Sequence, residues 1–188
     1  MRTMSTLAVA RTFENPVIRD RATFLETVAE SGGARTLVEV ELAPGGGNPP
    51  HRHPAFVERF EVLEGRLDVR VGEGWQTLQD GEAAVVEIGV KHCFRNAADA
   101  PVRFLVEITP GDRGFEETLQ IGYGLAADGL TDARSIPRNP LHTAAVLELS
   151  GMRVTGALGL AGPLLWLLAR VARHLGTTRT LQEKYVRV

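Results

Sequence analysis

The stretch GGGNPPHRHPAFVERFEVLEG, residues 45–65, decides the fold and carries the most chemistry in this sequence. Its histidines, His51 and His53, are two positions apart, so both imidazoles point to the same face if they lie on a β-strand. Glu58 begins the next run, and it faces inward, opposite the histidine pair, if residues 54–57 turn the chain. The stretch therefore predicts strands that bring two imidazoles and a carboxylate together.

A third histidine extends this candidate site. His92 follows Gly89 and starts a new alternation with Phe94, which Asn96 closes. Two or three imidazoles and one carboxylate that converge inside a barrel form a ligand set for one divalent transition metal, and Fe, Mn, Ni, Cu and Zn all suit it. Such an ion keeps one or two positions open for water, O2 or a chelating substrate.

The other inward-facing positions of these strands predict an apolar pocket around the metal. They are Phe60, Val62, Phe94, Phe104 and Val106. An apolar pocket suits a hydrophobic or aromatic ligand better than a sugar phosphate. A ligand with adjacent hydroxyl and carbonyl oxygens could bind there as an anion, because the metal lowers the pKa of the hydroxyl. Since these positions are apolar, no catalytic group is evident beyond the metal ligands.

Short alternating runs surround the central stretch on both sides. Residues 34–42, 67–71 and 102–108 each alternate apolar and polar side chains with period two. Clusters of glycine, proline, asparagine and aspartate separate these runs, as in connecting turns. Many short strands at this spacing indicate an all-β sandwich or barrel. Cys93 has the strand parity opposite to His92, which favours a small buried core residue over a redox-sensitive thiol beside the metal.

The periodicity becomes helical after residue 110, so we expect a β-barrel over residues 1–110 and a helical extension over residues 111–188. Asp112 is a candidate N-cap for a helix over residues 115–127, and Asn139 followed by Pro140 begins a helix that runs to about residue 149. A third helix is bracketed by Pro163 and Gly176. We expect the extension to pack on the barrel or on a partner subunit.

The third helix overlaps an uncharged stretch, residues 154–169, that is too short for a membrane span of about 18–20 residues and is broken by glycines. Its apolar face comprises Leu164, Leu165, Leu168, Val171, Ala172 and Leu175. This amphipathic pattern predicts a helix that docks on protein, with a membrane surface as the alternative.

Composition fits one globular domain of 188 residues, with 44% hydrophobic and 23% charged residues. The formal net charge of −2 offers no broad footprint for nucleic acid. A single cysteine excludes an internal disulfide framework. The apolar run Leu7–Ala10 is cut by Arg11, which argues against a secretory signal, so we expect a cytoplasmic protein.

Two motifs give the chain a resemblance to a known family. Residues 45–65 fit the first cupin motif, G-x5-H-x-H-x4-E-x6-G, and residues 81–96 fit the second, G-x5-P-x-G-x2-H-x3-N. Nine of the ten fixed positions match, and Glu87 stands in place of the proline. The chain resembles small single-domain bacterial cupins, with some likeness to quercetinase-like cupins.

This resemblance implies a cupin jelly-roll-like β-barrel, here with a C-terminal α-helical extension, that forms a homodimer. It implies one divalent metal held by His51, His53, Glu58 and His92. Cupins with this ligand set include dioxygenases such as quercetinases, isomerases and non-enzymatic binding proteins. We therefore expect a metal-dependent, small-molecule oxygenase that acts on an aromatic or enolic substrate. The alternative is a non-catalytic cupin that binds or senses a ligand through its metal.

Overall fold

The computed structural model describes residues 11–154 and 162–187 of the chain. The first of these ranges is mostly β-structure, as expected. Its strands are β1 Thr12–Asn15, β2 Asp20–Glu26, β3 Thr36–Leu42, β4 His51–Arg52, β5 Val57–Glu64, β6 Leu67–Val71, β7 Gly74–Leu78, β8 Ala83–Val86, β9 His92–Arg95, β10 Val102–Thr109 and β11 Arg153–Val154. The helices are α1 Arg113–Ala127, α2 Pro140–Leu149, α3 Gly162–His174 and α4 Thr177–Tyr185.

The strands form two antiparallel sheets. One has the order β1-β2-β3-β10-β5-β8 and the other the order β11-β4-β9-β6-β7. Inward-facing side chains of both sheets, such as Val38 and Phe60 from the first and Val69 from the second, belong to a single buried cluster. The coarse expectation of a β-domain with a helical C-terminal extension is confirmed, in the form of a two-sheet β-sandwich.

The period-two patterns bury the side chains that they predict. On β10, Val102, Phe104, Val106 and Ile108 are all buried, whereas the residues between them are half-buried. On β5, Glu58 faces inward with Phe60 and Val62. Each fully buried apolar side chain of this size stabilises the fold by roughly 1.5–3 kcal/mol, so the inward face fixes the register of both strands.

Helix α1 lies between the sandwich and the other helices. Its N-cap is Asp112, as predicted, whose carboxylate accepts a hydrogen bond of 2.7 Å from the backbone N–H of Phe115. One face, with Phe115, Leu119 and Tyr123, packs against the core of the sandwich. The opposite face contributes Ile121 and other apolar residues to a second cluster shared with α2, α3 and α4. The extension is therefore held on the β-domain through α1.

The third helix docks on protein through part of the predicted face, of which Ala172 is buried and Leu165 and Leu168 are half-buried. Helix α3 buries Ala169 and Ala172 against the helical cluster, because small side chains let α3 approach α2 closely. Much of the leucine face stays open, with Leu164 57% and Leu175 63% exposed. None of the helices within residues 11–154 and 162–187 is long and apolar enough to cross a bilayer. Residues 155–161 of the uncharged stretch and the run Leu7–Ala10 lie outside the described residues.

The short strand β11 was not predicted. It returns the chain from the helical extension to the edge of the second sheet, where Arg153 pairs with Arg52 and Val154 pairs with His51. A chain that leaves the sandwich at residue 110 therefore contributes to it again after α2. This contribution places a segment of the extension directly beside the strand that carries the first histidine.

Candidate metal centre

Three strands and one turn bring the four predicted ligands together. His51 on β4 is paired with His92 on β9, and Glu58 on β5 approaches from the other sheet. His53 follows β4 directly. All four side chains are buried, with at most 7% of each residue exposed. The sandwich thus converges three imidazoles and a carboxylate from both of its sheets.

The ligand atoms of these side chains face one common point. One atom from each residue lies within 4.8 Å of the others. His92 Nε2 and Glu58 Oε2 are 2.7 Å apart and His53 Nε2 and Glu58 Oε2 are 3.9 Å apart. The shorter contact does not have the geometry of a hydrogen bond, and neither of its atoms has another partner among the described residues. Buried polar atoms without partners are costly, and a shared cation removes that cost. The donor set therefore fits a divalent metal.

Backbone carbonyls select the ring nitrogen that each of two histidines presents. His51 Nδ1 lies 2.8 Å from the carbonyl oxygen of Pro49, and His92 Nδ1 lies 3.0 Å from that of Val90. A carbonyl accepts only from a protonated nitrogen, so Nδ1 carries the proton and Nε2 keeps its lone pair. Such contacts orient metal-binding histidines and raise their basicity.

Burial and the charges of neighbouring groups shift the pKa of each of the four candidate ligands. Burial lowers the pKa of His53 to about 3 and also lowers the pKa of His51. Burial alone would raise the pKa of Glu58, but the three neighbouring imidazoles hold it below its usual value. Burial alone would lower the pKa of His92, which the adjacent Glu58 raises instead. His51 and His53 are thus held neutral and Glu58 ionised, which are the forms that bind metal, whereas His92 holds its proton more tightly and would release it to a bound metal.

Two phenylalanine rings that the sequence analysis did not single out support the histidines. Phe56 is buried and stacks on His53 with 4.5 Å between ring centroids. Phe115 of α1 lies 5.9 Å from Phe56 and 6.5 Å from His53, edge-on to both rings. Phe56 lies among the four residues between His53 and Glu58, so the motif itself could have indicated a residue close to the site. Phe115 comes from another element, and no local pattern connects it to the site.

The cluster opens into a cavity of about 660 Å3 between the sandwich and α1 and α2. Of the five predicted pocket residues, Phe94 and Val106 line this cavity. Phe60, Val62 and Phe104 face the same way but lie in the closed core instead. Phe94 explains why two of these residues do not reach the cavity. Its ring packs 5.8 Å from Phe60 and 5.3 Å from Phe104 and covers them. The period-two pattern correctly predicted which side chains point into the sandwich. Whether such a side chain reaches the cavity depends on which of the packed rings lies nearest to it.

The cavity also holds an ionisable pair that sequence reasoning missed. Asp20 on β2 accepts a hydrogen bond from the hydroxyl of Tyr123 on α1, and both residues line the cavity. Burial raises the pKa of Asp20 to about 6, although the hydrogen bond from Tyr123 opposes this shift. The two residues are 103 positions apart, so no spacing rule joins them. Cys93, by contrast, is buried as expected, and burial raises the pKa of its thiol.

A two-sheet β-sandwich that encloses a buried set of three histidines and one glutamate defines a class of candidate metal-binding proteins. Comparison with known proteins gives the family. Residues 38–108 match the family described as the cupin domain. By this match and by both of its motifs, residues 38–108 of the chain are a cupin domain.

Individual relatives match only the β-domain and its surroundings. Germin-like protein subfamily 2 member 1 from Arabidopsis thaliana is 33% identical over 96 residues, which cover 45% of this chain and 42% of the relative. Tetracenomycin polyketide synthase protein TcmJ from Streptomyces glaucescens is 35% identical over 74 residues, which cover 39% of this chain and 50% of the relative. The chain thus spans half or less of the length of these curated relatives.

Among solved structures, one similar protein is a sugar phosphate isomerase from Silicibacter pomeroyi that is assigned to the cupin superfamily. It has a TM-score of 0.43 and 29% identity, and the match covers 48% of this chain and 59% of that one.

Proposed function

We propose that this protein binds one divalent transition metal through His51, His53, Glu58 and His92, and that it acts as an oxygenase on a small aromatic or enolic molecule. The observation that carries the proposal is the position of the cluster, which is buried itself but borders a mostly apolar cavity of about 660 Å3. That volume is within the range of small-molecule sites. A bound metal would act as a Lewis acid that holds adjacent substrate oxygens and lowers the pKa of a hydroxyl.

The residues of the chain define which molecule fits. Val38, Val40 and Val106 form one wall, and Phe115 and Leu119 of α1 form another. Flat apolar walls favour a planar, hydrophobic substrate over a sugar. Backbone carbonyls fix the buried imidazoles of His51 and His92, and His51, His53 and Glu58 line the cavity, so these residues would hold a metal within reach of a molecule bound there. The name of the relative from Streptomyces glaucescens refers to a polyketide synthase, and polyketides carry enolisable carbonyls, which supports the enolic class.

A non-catalytic role is the second candidate, and one observation favours it. Three phenylalanine rings contact the histidines of the cluster, those of Phe56, Phe60 and Phe115, and none of them can donate or accept a proton. A site of this kind can hold a chelating ligand without turning it over. In that case the protein would bind or sense its ligand through the metal.

Metal analysis and oxygen uptake separate these possibilities. Protein purified from cells should contain about one equivalent of transition metal per chain. We expect the metal-loaded protein to consume oxygen when it is given 3-hydroxyflavone or a 1,3-diketone, and to lose that activity after chelation and dialysis. Saturable binding of these compounds without oxygen uptake would favour the non-catalytic role. Protein that neither retains a transition metal nor takes one up would refute both.

A further inference from the structure

The cavity has a second polar contact at a distance from the metal centre. Tyr123 donates its only hydroxyl proton to Oδ2 of Asp20, and both side chains line the cavity wall. Oδ1 of Asp20 is buried and has no hydrogen-bond partner among the described residues. Asp20 is 94% buried, because 6% of the residue is exposed. An unpaired buried carboxylate oxygen is unusual and calls for a functional explanation.

Other polar side chains on the cavity wall already have partners within the protein. Hydrogen bonds to the described chain engage Asn15, Thr118, Thr143 and Ser150. Arg70 and Lys91 both pair with Glu73. Arg134 lines the cavity but is exposed, so solvent screens its charge. The Asp20–Tyr123 pair therefore differs from its neighbours in retaining buried acceptor capacity.

Helix α1 contacts both the metal centre and the Asp20–Tyr123 pair, so residue spacing along it gives a distance. Phe115 lies beside His53, and Tyr123 follows it eight residues later. Phe115, Leu119 and Tyr123 share one helical face, and a helix rises 1.5 Å per residue, so the separation along the axis is about 12 Å. Leu119 lines the cavity between them. Phe115, beside the metal centre, and Tyr123, in the pair, are thus about 12 Å apart along one face of α1.

The direction of the Tyr123 hydrogen bond determines what the far end can recognise. Because the phenolic proton points to Asp20, the lone pairs of the Tyr123 oxygen remain available to a ligand. That oxygen can accept a hydrogen bond from a ligand hydroxyl but has no proton left to donate. Asp20 is a positioning residue here, since it orients the hydroxyl of Tyr123 without needing to touch the ligand.

We propose that Tyr123, oriented by Asp20, selects a molecule that chelates the metal through oxygens at one end and carries a hydroxyl group at its other end, with an apolar polycyclic or biaryl body between. This inference rests on the proposed function of the metal centre. It narrows the substrate class from any enolic compound to an elongated one with a hydrogen-bond donor at its distal end.

A pair of probes tests the inference. Both 3-hydroxyflavone and 3,4′-dihydroxyflavone carry the same chelating oxygens, and only the second has a distal hydroxyl. We expect metal-loaded wild-type protein to bind the dihydroxy compound roughly five- to tenfold more tightly, which is the effect of one hydrogen bond. Tyr123→Phe should reduce this ratio to about one, while its metal content and its affinity for 3-hydroxyflavone stay unchanged.

The chain offers a matched control. Tyr185 also donates to an aspartate, Asp128, at 2.7 Å, but it lies on α4 outside the cavity. Tyr185→Phe should therefore keep the wild-type preference. If circular dichroism shows that Tyr123→Phe is misfolded, Asp20→Asn replaces it, because an asparagine amide can donate to the Tyr123 oxygen and so remove the acceptor.

The outcomes distinguish the inference from the proposed function. Equal affinity of wild-type protein for both probes, or a preference that survives both Tyr123→Phe and Asp20→Asn, would overturn the inference and leave the metal site intact. Failure of the metal-loaded protein to bind either probe would overturn the proposed function, and the inference with it. A merely structural pair would change thermal stability without changing the ratio of the two affinities.

Discussion

At the scale of single residues, the backbone decides how two histidines meet a metal. The carbonyl groups of Pro49 and Val90 contact Nδ1 of His51 and His92, and each lies two residues before its histidine. The choice of ring nitrogen is therefore made by the local chain and does not depend on the rest of the fold. This arrangement leaves Nε2 of both rings directed towards Glu58 without rearrangement.

Removal of one imidazole should empty the metal centre without unfolding the protein. We expect His51→Ala, His53→Ala and His92→Ala each to lower the metal content of purified protein at least tenfold, since loss of one ligand weakens a preformed site. The apolar core supplies the fold, so circular dichroism should stay native. His174→Ala, at an exposed position on α3, is the control. Stoichiometric metal in the triple alanine variant would show that these histidines are not its ligands.

The buried carboxyl group of Asp20 should make stability depend on pH. Its pKa is about 6 in the folded protein and 3.8 when exposed, so the folded state holds the proton more tightly. Stability should therefore fall as pH rises from about 4 to 6, by an amount of the order of 3 kcal/mol, and stay lower above that range. Asp20→Asn does not titrate. In urea unfolding of metal-free protein, the free energy of unfolding of Asp20→Asn relative to wild type should rise by this amount between pH 4 and 7.

An asparagine substitution at the exposed Asp99 controls for the chemical change itself. A constant difference between wild type and Asp20→Asn across this pH range would contradict the raised pKa.

Spacing along the sequence predicted the metal residues because strand geometry is local. His51 and His53 share a face by period two, and Glu58 and His92 follow fixed turns. Tyr123 and Asp20 could not be found in this way, since a helix and a strand far apart in sequence bring them together. The sequence therefore predicted the site residues that lie on or beside the strands, and it did not predict the one that the helical extension contributes.

At the scale of elements, α1 is tightly fitted at Gly114 in its first turn and open at Gly122 further along. A Cβ atom added at Gly114 would lie 1.9 Å from the carbonyl oxygen of Leu149 at the end of α2. One added at Gly122 would meet no atom of the described chain within 4 Å. The two glycines on one helix therefore have different roles, close packing for the first and open space for the second.

Alanine substitutions at these glycines should have opposite effects. Gly114→Ala must displace backbone, and we expect the free energy of unfolding to fall by about 2–3 kcal/mol, as for an overpacked site. Gly122→Ala should raise it by up to about 1 kcal/mol through helix propensity alone. Urea denaturation of both variants measures the difference. Equal effects of the two substitutions would mean that α1 and α2 do not meet at Gly114.

The helices α1 and α2 could be predicted because their start signals are local. Asp112 and Asn139 cap them as their positions in the sequence indicate. The strands β4 and β11 have two residues each, too few for any alternation to be recognised. They are defined by pairing with other strands, and that information is absent from their own sequence.

At the scale of the whole molecule, α3 leaves an apolar surface open to solvent. Leu164, Trp166 and Leu167 on this helix, and Leu175 directly after it, are each more than half exposed. Exposed apolar surface of this kind commonly marks an interface. The helix also borders the candidate site, because Leu165 lines the cavity.

We predict a symmetric homodimer at micromolar concentration in which this surface is covered. Sedimentation should give about twice the chain mass of 20.4 kDa. Leu164→Glu combined with Leu167→Glu should shift the protein to the monomer, because a charge placed in an apolar interface is unfavourable. Leu130→Glu, at another exposed leucine, is the control. A wild-type protein that sediments only as a monomer would contradict the dimer.

The pairing of β11 with β4 has a thermodynamic consequence for the metal site. His51 lies on a strand of two residues that is hydrogen-bonded to His92 on one side and to Val154 on the other. Because the two strands are paired, metal binding that orders β4 also stabilises the position of β11. Occupancy of the metal centre and docking of the extension are therefore thermodynamically coupled. By reciprocity, each must strengthen the other by the same free energy. Amide hydrogens of Arg153 and Val154 should then exchange more slowly when metal is added, and the C-terminal extension would register the state of a site to which it contributes no ligand.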